Sequence, residues 1–329
     1  MRVTFVLMLC VYLQGCYYLQ AARGQVEILS KREPVSELID APGTPEPLRE
    51  RLRLAREIRA FASDELLLPN NRSYTDYVDL GRPYVVWSVV AAPEFAVQPV
   101  RWCFPIAGCV SYRGYFRKAA ADGFAERQRR RGYDVRIGGV AAYSTLGWFA
   151  DPLLSTMVRD DEVELAALLF HELAHQVVYV RGDTQFNEAF ATVVEEEGVR
   201  QWLAHRAEPE RIAQYHARRA RQADFARLIT ETRAALKDLY ARELSADEMR
   251  AAKAHAFVGL RTRYQNMRDG AWDGYEGYNR WFDRELNNAD LAAVATYNDR
   301  IPELRALLES LGGDLAAFYE AAPALAGSN

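Results

Sequence analysis

The spacing of apolar residues changes character along this chain, and with it the elements it predicts. Residues 17–45 carry few core-like periodic positions and end in the proline-rich stretch Asp40-Ala-Pro-Gly-Thr-Pro-Glu-Pro47, which reads as a tether with some local structure. From about 48 to 67 the apolar positions recur at helical spacing on a charged background, and Pro69-Asn70-Asn71 stops that helix. Between about 83 and 150 the pattern turns to β-branched and aromatic runs, predicting strands at 84–90, 110–116, 133–140 and 142–148, with a helix at 118–131 among them. Beyond about 158 the spacing is helical almost to the end. Ser245-Ala-Asp-Glu248 has the form of a capping box, and Pro302 suits a helix start. No internal repeat is present. The expected fold is α+β and mostly helical: a small mixed α/β lobe with an edge strand packed on a helix pair, followed by a helical C-terminal lobe. The expected divisions are 1–15, 16–45, a core at 46–205 and a helical lobe at 206–329.

Composition places few further limits. Half of the 329 residues are hydrophobic and about a quarter are charged, the balance of a globular chain with ample material for a core. A net charge of −4 gives no electrostatic case for nucleic-acid binding. Runs such as Arg129-Arg130-Arg131 and Arg218-Arg219 fit solvated helix faces.

The first residues add a location. Arg2 precedes an apolar run from Val3 to Leu13, too short to span a bilayer but suited to a signal peptide. Leu13-Gln14-Gly15-Cys16 resembles the bacterial lipobox, which implies removal of residues 1–15 and acylation of Cys16. Acyl chains would then hold the protein at the membrane, facing the periplasm. Tyr17, rather than aspartate, follows the cysteine, which by the usual sorting pattern points to the outer membrane of a bacterial envelope. The other reading is an ordinary signal peptide that contains Cys16. With Cys10 and Cys16 accounted for, Cys103 and Cys109 remain, six positions apart in an exported chain, and a disulfide is expected over a metal-binding pair.

Candidate chemistry lies in His171-Glu172-Leu173-Ala174-His175, at the end of the apolar run 163–170. On a helix the two histidines are i and i+4, so both imidazoles project from one face and can bind one metal ion. Glu172 lies about a hundred degrees round and can serve as general base toward water. The bland reading is a helix with two satisfied histidines. Two histidines do not complete a catalytic zinc site, so a third ligand is needed. Gly182-Asp183-Thr184 is predicted to end the first helix, with Asp183 capping a second that returns antiparallel. Counting outward from residue 183 at about 1.5 Å per residue puts Glu188 near the level of His175 and Glu195 near that of His171. Spacing alone permits either glutamate; His205 lies too far along.

Asn187-Glu188-Ala189-Phe190-Ala191 resembles the Asn-Glu-x-Phe-Ala element of gluzincin metallopeptidases, which implies Glu188 as the third zinc ligand. The resemblance departs in spacing, because twelve residues separate His175 from Glu188 and the connection must be compressed. The chain as a whole resembles a family of predicted zinc-dependent aminopeptidases found as bacterial lipoproteins, through residues 102–116 and 143–149 as well as the helix pair. That resemblance implies one Zn2+ per chain, a peptide substrate, and hydrolysis with Glu172 as base. It further implies a substrate strand laid against an edge such as 142–149 and an oxyanion-stabilising side chain, for which Tyr275, Tyr278 and Tyr297 are the candidates. Glu195 would orient His171 or, with Asn187, meet a substrate amine. The rival class is a non-catalytic zinc-binding envelope lipoprotein acting as a peptide-binding scaffold. A structural site would favour four protein ligands, whereas three ligands beside Glu172 favour an open, catalytic one.

Overall fold

The amphipathic run before Pro69 forms the helix Glu46–Asp64 in the computed structural model, which describes residues 17–104, 108–142, 145, 149–159, 161–294 and 300–327. Leu52, Ala55, Ile58, Phe61 and Ala62 are buried along one side, and Pro47 sits in the first turn, where its missing N–H is harmless. Arg59 is the charged residue on that buried side. Its Nε donates to the Ser73 carbonyl, its Nη2 to those of Pro69 and Asn71, and its Nη1 to the Ser63 hydroxyl. A buried charge surrounded by acceptors in this way is tolerated, and it fastens the loop that follows the helix.

Two compact units emerge, both discontinuous in sequence. The first falls within Met1–Val86, Gly139–Ile212 and Tyr297–Asn329, the second within Trp87–Gly138 and Ala213–Thr296. Residues after 205 therefore contribute to both. The architecture is mostly helical α+β, with small sheets of two or three strands, as the pattern predicted.

In the first unit the apolar stretch 163–170 is part of the helix Glu162–Ala174, in which Leu165, Ala166, Leu169, Phe170, Leu173 and Ala174 are buried. Asp161 caps it by accepting from the Val163 and Glu164 amides. The longer helix Thr184–His205 packs against it. Gly198 permits their close approach: a Cβ there would lie 2.7 Å from the Phe170 ring and 2.8 Å from a Leu66 methyl, and both neighbours are fully buried. Gly198→Val should lower the melting temperature by several degrees, because overpacking of this kind costs about 1–3 kcal/mol against a helix-propensity gain of only a few tenths. An unchanged melt would show that the two helices can part without cost.

The C-terminal helices Ile301–Ser310 and Leu315–Ala321 close this unit. Phe318 stacks on Phe190 at 5.4 Å, Arg300 pairs with Asp183 at 3.1 Å, Arg305 pairs with Glu196, and the Tyr319 hydroxyl donates to the Leu66 carbonyl. Pro302 stands in the first turn of its helix, as expected. The segment read as a tether holds a helix at 17–30, a second helix Val35–Asp40, and a two-residue strand Glu33–Pro34. That strand pairs antiparallel with Asp76–Val78, which in turn pairs parallel with Leu153–Leu154. Ile28, Val35 and Ile39 are buried, too sparse in the sequence to show a period.

In the second unit, Val86–Pro93 is the centre of a three-stranded sheet between Arg113–Tyr115 and Tyr133–Val140, with Trp87 opposite Tyr115 in the antiparallel pair. The strand expected at 110–116 is broken into Gly108–Val110 and Arg113–Tyr115, because the bend at Ser111-Tyr112 separates two different pairings. Gly108–Val110 instead pairs with Trp102–Phe104, which sets Cys103 directly opposite Cys109, and the two form a disulfide. Lys118–Arg129 is the expected helix. The long helices Pro209–Tyr240 and Ala246–Asp269, the latter started by the Ser245/Glu248 capping box, enclose a core of Phe225, Ile229, Leu236, Phe257, Leu260 and Trp272. Of the strand expected at 142–148, residues 143–144 and 146–148 lie outside the described residues, and Thr145 is not in a strand.

Candidate metal centre

The first departure from the sequence reading is where the histidine helix ends. It stops at Ala174, with His175 as its C-cap, rather than running on to Gly182. The intervening loop is held by Asn187. Its Oδ1 accepts from the Val180 amide at 2.7 Å and its Nδ2 donates to the Val180 carbonyl at 2.8 Å, so the side chain spends both polar ends on one backbone unit. Asn187 is buried and positions the loop and the start of the second helix together. Asp183 caps that helix, accepting from the Phe186 amide at 3.0 Å. A short helix plus a clasped loop is how twelve residues suffice between His175 and Glu188.

The hairpin brings His171, His175, Glu188 and Glu195 together. His171 Nε2 lies 3.2 Å from His175 Nε2 and 3.4 Å from a Glu188 oxygen, and His175 Nε2 lies 3.8 Å from the other Glu188 oxygen. Donor atoms at about 2.0–2.1 Å from a tetrahedral zinc stand about 3.3 Å apart. Two nitrogens and a carboxylate oxygen at these separations could hold such an ion with a fourth position open. Glu195 does not join the three; it takes His171 Nδ1 at 3.1 Å, which turns Nε2 inward. His175 Nδ1 is buried and has no hydrogen-bond partner among the described residues.

Charges in the cluster are strongly displaced. Burial disfavours a protonated His171, but the Glu188 and Glu195 carboxylates outweigh it and raise its pKa to about 10. Burial and the neighbouring His171 charge push His175 down to about 4. Glu188 is lowered: burial opposes its charge, and the hydrogen bond from His171 with both imidazoles prevails. Glu172 is raised to about 7, chiefly by burial, with the His171 charge opposing and the Glu188 and Asp151 charges adding. Asp151 is the residue that pattern alone did not pick out. It is buried and accepts from the Thr145 amide and hydroxyl, each at 2.8 Å, which ties the loop before the histidine helix to the charge field around Glu172.

These displacements give the protein without metal a definite pH response. A histidine raised from 6.5 to about 10 contributes stability that is fully present below pH 6.5 and lost as the pH rises through 10. Glu172, raised from 4.5 to about 7, likewise favours the folded state only while protonated, so its contribution falls through pH 7. His175 acts only below this window, between its ordinary value of 6.5 and about 4. Chelator-treated protein should therefore melt progressively lower between pH 6.5 and 10, and Glu195→Gln should flatten the trend. Equal melts at both ends in the parent protein would mean His171 is not held in its charged form.

The second unit holds two of the remaining candidates. Tyr278 is half-buried in the second unit, its ring 4.5 Å from that of Phe225, and Tyr275 lies beside Trp272 in the same unit with Arg221 over its ring. Tyr297 and Cys16 lie outside the described residues. No described helix is long and apolar enough to cross a membrane. A family model described as "Putative aminopeptidase" matches residues 16–329. Comparisons with curated proteins and with solved structures return no match.

Proposed function

The chain belongs to the putative aminopeptidase family, and from that premise we propose that it is a zinc-dependent peptidase, an aminopeptidase by family description, hydrolysing peptides with Glu172 as general base. The observation that carries this reading is the trio His171, His175 and Glu188, whose donor atoms lie within 4.8 Å of one another, beside the half-buried Glu172 carboxyl. One Zn2+ held by these three would supply Lewis-acid polarisation of a carbonyl and acidify a water to about pKa 7. The residues divide the rest of the work. Glu195 fixes the His171 ring through Nδ1. Asn187 holds the loop that sets Glu188 opposite the histidines. Glu172 takes the proton from the attacking water and passes it to the leaving amine. Three protein donors beside such a base favour an open catalytic position over a closed structural one.

Metal content by mass spectrometry, paired with digestion of a peptide library by the same preparation, tests the proposal. One zinc per chain and chelator-sensitive release of N-terminal residues are expected; a replete protein that cleaves no peptide would leave a binding scaffold instead.

The same reading places the protein in a bacterial envelope, acylated at Cys16 and exposed to the periplasm, with the outer membrane indicated by Tyr17. Cys16→Ala should leave the chain unprocessed or unlipidated and remove it from the detergent-extracted membrane fraction. Mass spectrometry that finds a mature, unmodified N-terminus at another residue would end the lipoprotein reading.

A further inference from the structure

The two most exposed large hydrophobic side chains among the described residues sit on one helix. Leu19 is 70% exposed and Val26 is 63% exposed, both within the helix at 17–30. The exposed positions of that helix are 19, 22, 23, 26 and 30, spaced by three and four, so Leu19, Ala22 and Val26 form one outward strip with Arg23 beside it. The opposite face is docked on the first unit: Gly24 and Ile28 are buried, and Glu27 accepts from Arg82 at 3.2 Å. An apolar strip on a helix that is already fixed by its other face marks a contact surface, not an unfinished core.

Position identifies the occupant. The described part of the helix starts at residue 17, next to the cysteine that the lipobox marks for acylation, and Leu19 and Val26 lie about 3 and 14 Å along its axis from residue 17. Acyl chains on Cys16 would bring this strip to a phospholipid surface before any other part of the chain. Arg23 supplies a positive charge on the same side, suited to lipid phosphates.

We infer that the outer face of the 17–30 helix lies on the phospholipid bilayer, with Leu19, Ala22 and Val26 in the boundary between headgroups and acyl chains. This rests on the lipoprotein reading of Cys16. The segment is then a second membrane contact beside the lipid, and it presents the first unit to the bilayer by a fixed face instead of letting it swing on a tether.

The test uses the full processed chain reconstituted in vesicles of phosphatidylethanolamine and phosphatidylglycerol. With Cys10 removed, Cys16 acylated and Cys103 joined to Cys109, a cysteine introduced by Leu19→Cys, Val26→Cys or Val258→Cys is the sole free thiol for an environment-sensitive fluorophore. Val258 is 58% exposed on a helix of the second unit and serves as the comparison. Probes at 19 and 26 should shift to the blue and be quenched by nitroxide-labelled lipids about twofold or more above the probe at 258. Equal quenching at all three positions overturns the inference while leaving acylation intact. A blue shift at 19 and 26 without lipid quenching also overturns it, by assigning the face to a second copy of the chain. An unmodified Cys16 in the mass spectrum of the same sample removes the anchor, and the inference falls with the lipoprotein reading.

Discussion

Glu172→Gln, purified with its full metal content, should hydrolyse peptides about a hundredfold more slowly than the parent or worse. The substitution preserves shape and hydrogen-bonding reach and removes only the site that accepts a proton. Glu172 is half-buried next to His171, and its carboxylate can take a proton from water and return it. Glutamine can do neither. It is absent from the donor trio, so metal content should stay near normal. Steady-state rates on a cleaved peptide, with metal measured on the same sample, decide the matter. Full activity in the variant would mean that another base, or a contaminating enzyme, performs the cleavage.

The second large effect separates two glutamates on one helix. Glu188→Ala leaves two imidazoles 3.2 Å apart and no protein carboxylate between them, a site that should empty during dialysis against a mild chelator. Glu195→Ala leaves all three donors in place and frees only the His171 ring, whose Nδ1 loses its partner at 3.1 Å. Loss of such a supporting carboxylate weakens metal affinity or activity by about 10–100-fold while coordination survives. The Glu188 variant should therefore be empty and inactive, and the Glu195 variant should refill at high zinc with reduced turnover. Zinc measured after dialysis gives the answer, and an empty Glu195 variant beside a replete Glu188 variant would exchange the two roles.

What could be read from the chain depended on whether its cause was local. The helices at 46–64 and 162–174 announce themselves because one face repeats every three or four residues and the caps are short polar side chains next to the run. The pairing of Cys103 with Cys109 was legible from a count of cysteines once the chain was read as exported. The end of the histidine helix is different. Gln176-Val-Val-Tyr-Val-Arg181 carries neither glycine nor proline, so pattern alone extends the helix to Gly182. The helix ends at Ala174 instead, and the loop after it is held by a residue further along the chain, Asn187 grasping the Val180 backbone. Asp151 was illegible for a related reason. An aspartate before a proline reads as a loop residue, and only folding shows it buried on Thr145 and acting on Glu172. The strip Leu19, Ala22, Val26 was hidden by the opposite circumstance: its period exists, but it faces outward, and the inward face holds too few apolar residues to be heard.

The discontinuity of the first unit sets an order of events for a newly made chain. Its histidines and glutamates lie in the middle of the sequence, yet Phe318 covers Phe190 and Arg300 holds the capping Asp183 from segments synthesised well after them. A polypeptide that emerges from its N-terminus forward therefore carries every donor atom long before it can finish the surroundings that place them. Messages cut short upstream of Arg300 would yield chains whose chemistry is spelled out in full but never assembled. Residues 300–327 thus act as a check of completeness on the candidate metal centre.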